Sequence, residues 1–182
     1  MSSKLVAEAI AALGAAGIAV SNSKDAPIPA DSRLVITPWV AVPGIVTGAF
    51  EAGDAFGSMG TFTVDIEGNP LPKKGFIVGA RLLDKDDDTL SATMHVFWDT
   101  FTATASKDAL ALLAADSEKA VTVMGFDDGS DEGAYKIHEI TVWNSFYYSP
   151  SRKLYFQFST AGVPNIAAAG MVLVQIAILP MI

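Results

Sequence analysis

The chain has 182 residues, with 12 basic and 20 acidic side chains, no cysteine and a hydrophobic fraction of 51%. The lack of cysteine excludes disulfides, thiolate metal sites and a cysteine nucleophile, and the formal charge of −8 argues against a protein that follows nucleic-acid phosphates. Only 18% of the residues are charged and the mean hydropathy is positive, so we expect part of the surface to contact another protein.

The first 31 residues are predicted to form an arm and a linker. Residues 4–13 are good helix formers, and Val6, Ile10 and Leu13 recur at the spacing of one helical face. Two prolines within residues 21–30 indicate an extended linker, because proline fixes φ and favours extended geometry in the residue before it. We therefore expect an arm and linker over residues 1–31 and one domain over residues 32–182. The apolar run of the arm is shorter than the roughly 20 residues of a membrane-spanning helix, so no membrane contact is expected.

The remainder of the chain is predicted to be rich in strands, because β-branched and aromatic runs are bounded by Gly, Pro, Asn and Asp. One helix is predicted over residues 107–119, with Ser106 as its cap and with Leu110 and Leu113 facing the core. Short strands without alternating long helices favour a mainly β fold, namely an antiparallel β-sandwich or jelly-roll-like domain with an N-terminal arm and one short helix. The eight predicted strands cover residues 34–42, 60–66, 75–83, 90–102, 120–126, 134–143, 153–159 and 171–178.

The last predicted strand is apolar at most positions and does not alternate between polar and apolar residues. Such a strand is either covered on both faces within its own subunit or packed against a neighbouring subunit.

Two acidic loops were considered as cation sites. Asp84, Asp86 and Asp88 have the spacing of the first three ligands of a calcium-binding loop, but Thr89 and His95 occupy the positions of its glycine and bidentate glutamate. We interpret this segment as a solvated turn between two strands, and residues 127–132 as the turn of a hairpin. No metal site is predicted.

Catalytic motifs are missing from the sequence. The two histidines, His95 and His138, lie far apart without metal-ligand spacing, and we interpret them as polar residues on the wet face of a sheet. Neither a Gly-x-Ser-x-Gly elbow nor a phosphate-binding glycine loop is present, and we interpret residues 57–60 as a turn. We therefore expect no enzymatic activity, no catalytic residue and no cofactor.

An aromatic cluster lies near the end of the sixth predicted strand. It contains Trp143, Phe146, Tyr147 and Tyr148, followed by Arg152 and Lys153, a combination that can stack on sugars or bases. Because the chain is acidic, core packing and a protein interface are favoured for this cluster.

Residues 49–126 resemble small β-rich structural proteins of tailed bacteriophage virions, of the capsid decoration or cement type. The resemblance rests on a Gly-Asp-Ala-Phe-Gly turn at residues 53–57, the strand after it, a Pro-x-x-Gly-x-Ile hairpin at residues 72–77, the aspartate-rich turn and an aromatic strand at residues 94–98. It implies a location in the virion, contacts with the major capsid protein or other virion subunits, and no catalytic residues. Subunits of this kind form closed homo-oligomers, such as a trimer.

The leading hypothesis is therefore a structural virion protein that decorates or cements a phage capsid through protein–protein contacts. The alternative is a receptor- or carbohydrate-binding module of a phage tail or fibre, in which the aromatic side chains line an open groove. The interface candidates are Leu5, Val6, Ile10, Leu13, Ile18, Trp143, Tyr147 and Tyr148.

Overall fold

The computed structural model describes residues 34–85, 90–127, 129–131, 135–168 and 170–181. Residues 34–182 form one compact unit. The predicted arm and its boundary at residue 31 lie outside the described residues. The same holds for five of the interface candidates: Leu5, Val6, Ile10, Leu13 and Ile18.

The described residues form a mainly β structure with antiparallel strands and one four-residue helix, which confirms the predicted fold class. The elements are β1 Val35–Ile36, β2 Val40–Ala41, β3 Gly48–Ala49, β4 Ala55–Phe62, β5 Lys74–Asp84, β6 Ala92–Phe97, α1 Ala114–Ser117, β7 Ala120–Phe126, β8 Ser130–Asp131, β9 Lys136–Tyr148, β10 Leu154–Thr160, β11 Asn165–Ile166 and β12 Val172–Pro180.

Two sheets enclose one hydrophobic core. The large sheet has the strand order β1-β12-β5-β9-β8, with β2 also paired to β12, and the small sheet has the order β4-β10-β6-β7. Strands β3 and β11 form a separate pair. Buried side chains of both sheets belong to the same cluster, for example Ile77 and Ile176 of the large sheet with Phe62 and Phe156 of the small one. This shared core is the arrangement of a β-sandwich.

The outer face of the small sheet is covered by the chain itself. All seven residues of β10 are buried. Phe101 stacks on Phe97 of β6, with 4.1 Å between ring centroids, and packs with Tyr155 of β10. Gln157 is fully buried because its side-chain amide accepts a hydrogen bond from the Thr104 N–H (3.1 Å) and donates to the Thr104 carbonyl (2.6 Å). The segment after β6 thus covers the outer face of the small sheet around β10, while Val123 of β7 stays exposed.

The outer face of the large sheet is more open. In β12, Val172, Val174, Ile176 and Ile178 are buried, whereas the residues between them are half-buried and Leu179 is exposed. The strand therefore alternates in burial although its sequence does not alternate in polarity. Complete cover of both faces, one of the two interpretations of this run, is wrong within the described chain.

The helix predicted over residues 107–119 is wrong except at Ala114–Ser117. The Lys107 N–H donates to the Ala55 carbonyl (2.9 Å), and the Ala55 N–H donates to the carbonyl of Asp108 (2.7 Å). Because these backbone groups pair with the start of β4, they are not available for helical hydrogen bonds. Leu113 is half exposed rather than buried, and the Ser106 hydroxyl accepts a hydrogen bond from Gly57 in place of capping a helix.

Three further interpretations are corrected by the fold. Residues 57–60, which read as a turn, lie inside β4. Asp84 is fully buried, so it does not belong to a solvated turn. His138 is 3% exposed, and its Nδ1 lies 2.7 Å from the Asp127 carbonyl oxygen, so it is not on a wet face. Sequence alternation alone does not distinguish an inward polar side chain from an outward one.

Candidate interaction surface

Apolar side chains gather at one end of the outer face of the large sheet. Leu179 of β12 is paired with Phe76 of β5, which is paired with Phe146 of β9. The rings of Phe76 and Phe146 meet edge to face, with centroids 5.7 Å apart. Leu179 is 41% exposed and Phe146 is 51% exposed. Tyr148 lies on the same face as Phe146, because side chains two residues apart on a strand point the same way. Leu34 lies on the same face as Leu179, because Leu34 precedes Val35, which is paired with Ile178.

We call this surface the apolar end, and it comprises Leu34, Phe76, Phe146, Tyr148, Leu179 and Met181. Five of the six are exposed large hydrophobic residues, and Phe76 is half-buried between its neighbours. A contiguous group of exposed aromatic and aliphatic side chains is typical of a protein interaction site.

A polar row separates the apolar end from the rest of the outer face. Arg81 of β5 is paired with Gln175 of β12 on one side and with Glu139 of β9 on the other. The Arg81 Nε lies 2.7 Å from Glu139 Oε1, and the Arg81 guanidinium carbon lies 5.8 Å from the centre of the Trp39 ring. Both ion-pair partners are well exposed, so the pair orients Arg81 more than it stabilises the fold.

Beyond that row the outer face contains a groove of about 480 Å³. Its aliphatic residues are Leu83 and Ile137, its aromatic residues are Trp39 and Tyr135, and its cations are Arg81 and Lys85. Aromatic rings beside fixed positive charges can hold a flat ligand that carries an anionic group. This groove was not foreseen from the sequence, because its residues come from three separate strands or their ends.

Four cations surround the turn between β9 and β10, next to the apolar end. We call this group, Lys73, Lys74, Arg152 and Lys153, the basic pole. Buried Ser149 fixes its geometry: the Ser149 N–H donates to the Lys73 carbonyl (2.7 Å), and its hydroxyl donates to the Lys153 carbonyl (2.7 Å). The sequence places these residues in two pairs far apart in the chain, and the pairing of β5 with β9 brings them together.

The predicted aromatic candidates are placed differently from one another. Tyr148 is 56% exposed at the apolar end. Tyr147 is only 2% exposed, its hydroxyl donates to the Pro72 carbonyl (2.9 Å), and burial raises its pKa. Tyr147 therefore packs in the core, one of the two roles favoured for this cluster, and does not offer the exposed ring of an interface candidate. Trp143 belongs to β9, and its side chain lies outside the described residues.

Groups suited to catalysis or metal binding are sparse in the part of the chain that the structure describes. No cluster of three His, Asp or Glu side chains able to hold a metal ion occurs there. His95 Nε2 lies 3.3 Å from the Ser159 hydroxyl, and burial lowers the pKa of His95. Among the described residues, His95 makes no hydrogen bond to a carboxylate of the kind that orients the imidazole in a Ser–His nucleophile.

No helix within the described ranges has the length and apolar character required to cross a membrane. Comparison with known protein families, with curated proteins and with solved structures finds no match for this chain.

Proposed function

We propose that the protein is a non-enzymatic structural component of a tailed-phage virion, which decorates or cements the capsid by binding the major capsid protein or other virion subunits. The observation that carries the proposal is the contrast between the two sheets. Residues 101–112 cover the outer face of the small sheet around β10 and leave Val123 of β7 exposed, whereas the large sheet exposes the contiguous apolar end. A subunit that is completed by its neighbours leaves such a face open.

The chemistry of the apolar end suits adhesion. Burying a large apolar side chain contributes about 1.5–3 kcal/mol when the side chain starts fully exposed, so half-exposed Phe146, Tyr148 and Leu179 contribute about 1 kcal/mol each. Aromatic residues near the centre of an interface often dominate its binding energy. A particle offers many copies of one site, and an oligomer that engages several at once gains avidity from modest individual contacts.

The residues that carry the resemblance to virion proteins have structural roles here. Gly53 and Gly57 both have positive φ, of 92° and 77°. The carboxylate of Asp54 accepts a hydrogen bond from the Glu51 N–H (2.8 Å), which closes the turn before β4. These residues therefore shape the loop before β4.

Co-sedimentation with phage particles stripped of this component tests the proposal. The wild-type chain is expected to pellet with the particles. The double variant Phe146→Ser and Leu179→Ser is expected to bind at least about tenfold more weakly, because two apolar contacts are worth about 2 kcal/mol. Val123→Ser is the control, since Val123 is 58% exposed on β7 of the small sheet. Wild-type protein that ignores particles, or equal binding by the double variant, would overturn the proposal.

The groove supports a second candidate function, a receptor- or carbohydrate-binding module of a tail or fibre. Trp39 and Tyr135 supply the aromatic surfaces that this function needs, in place of the buried Tyr147. Binding to a panel of bacterial surface glycans, lost in Trp39→Ala but retained in the Phe146→Ser and Leu179→Ser variant, would favour this candidate over the first.

A further inference from the structure

The basic pole is an unusual feature for a chain of this charge. It holds four of the 12 basic side chains of the protein, and Lys73, Arg152 and Lys153 are exposed. None of these four side chains takes part in an ion pair with another described residue. Cations gathered at one place without an intramolecular partner create a positive potential that an external acidic group can satisfy.

The rest of the chain has the opposite charge. Without the four cations of the basic pole, it retains 8 basic side chains against 20 acidic ones, a formal charge of −12. The pole also lies at one end of the sandwich: Lys74 begins β5 and Lys153 precedes β10, while exposed Asp127 follows the far end of β7. The sequence outside the basic pole is therefore strongly acidic.

We propose that the basic pole docks against the acidic surface of a second copy of this chain, so that copies associate head to tail. The contact joins two different surfaces, so repeated copies close into a ring when the rotation between them permits. The inference deepens the oligomer expected under the proposed function and does not depend on the virion partner.

Charge complementarity favours a second copy over a polyanion such as DNA. A long polyanion needs more cations than the four of the pole, and the remainder of the sequence has a formal charge of −12, which repels it. Between two copies only local charges matter, because the screening length is about 8 Å at physiological ionic strength. The attraction between the pole and a facing acidic surface then outweighs the repulsion between the net charges.

The test is the association constant of the full chain, measured by sedimentation velocity over a range of concentrations. Wild-type protein is expected to form oligomers at 50 mM NaCl that dissociate at 500 mM. The change Lys73→Glu is expected to weaken association about tenfold or more, because it turns an attraction into a repulsion. Lys73→Arg is the matched control, because it keeps the positive charge at the same exposed position.

Results other than those expected would count against the head-to-tail contact. A monomer at every salt concentration, equal association of wild type and Lys73→Glu, or equal weakening by Lys73→Glu and Lys73→Arg would overturn it. Binding of heparin at the basic pole without self-association would assign the pole to a polyanion instead. Particle co-sedimentation of the same variants separates this inference from the virion proposal: particle binding by a monomer overturns only the head-to-tail contact.

Discussion

A pair of glycine substitutions tests the packing that holds the two sheets together. Gly60 of β4 is paired with Phe156 of β10, and a Cβ at position 60 would overlap the Phe156 ring. The ring has no room to retreat, because it is fully buried between Phe62 and Phe158, with centroids at 4.6 Å and 5.8 Å. Gly125 of β7 is exposed, and a Cβ there meets no atom within 4 Å. The two sites therefore offer the same substitution in opposite environments.

We expect Gly60→Ala to destabilise the fold by about 2–3 kcal/mol, the cost of forcing a methyl group into a packed core. In contrast, Gly125→Ala is expected to stabilise it by about 0.5 kcal/mol, because alanine loses less backbone entropy on folding than glycine. For a domain of this size the first change corresponds to a fall in Tm of roughly 4–12 °C. Urea and thermal unfolding followed by circular dichroism measure both. Equal effects of the two changes, or a stabilising Gly60→Ala, would refute the packing described here.

Three further predictions concern polar groups. Gln157→Leu removes the side-chain amide that hydrogen-bonds the backbone of Thr104. We expect the free energy of unfolding in urea to fall by about 3 kcal/mol, because buried backbone groups left unpaired cost roughly 1–3 kcal/mol each. A fall of less than about 1 kcal/mol would contradict this. Burial lowers the pKa of His95 below its unfolded value of 6.5, so the unfolded chain binds the proton more readily than the folded one. The stability of the fold should therefore decrease as the pH drops below 6.5. A His95→Gln variant whose stability has the same pH profile as wild type would argue against it. The hydrogen bond from Lys119 lowers the pKa of Asp116 below 3.8. The ionised Asp116 should therefore stabilise the fold above pH 3.8, and this stabilisation should disappear as the pH falls further. Urea midpoints with the same pH dependence in Asp116→Asn and wild type would exclude this contribution.

The sequence predicts strands well where one pattern dominates. The predicted strand at residues 120–126 coincides with β7, and those at 75–83 and 153–159 differ from β5 and β10 by one residue at each end. The error at β4 has a physical reason. Two glycines made residues 57–60 look like a turn. Both are needed inside the strand, because the Pro43 carbonyl approaches Gly57 and the Phe156 ring covers Gly60.

The interaction surface was harder to predict than the fold. The apolar end depends on the strand register that places Leu179, Phe76 and Phe146 in one row. The register between strands that are distant in the chain cannot be predicted from local sequence patterns. Strand β12 is apolar on both faces, so its sequence does not show which face is open. The failed helix has the same origin: the partner of residues 107–110 lies about fifty residues earlier in the chain.

The central claim, that the outer face of the large sheet binds other subunits, is tested most directly by hydroxyl-radical footprinting of the protein free and bound to phage particles. We predict that Phe146, Tyr148 and Met181 react in the free protein and are protected on the particle, whereas Val123 on the small sheet reacts equally in both. Protection of Val123 with unchanged reactivity of Phe146 and Tyr148 would contradict the account.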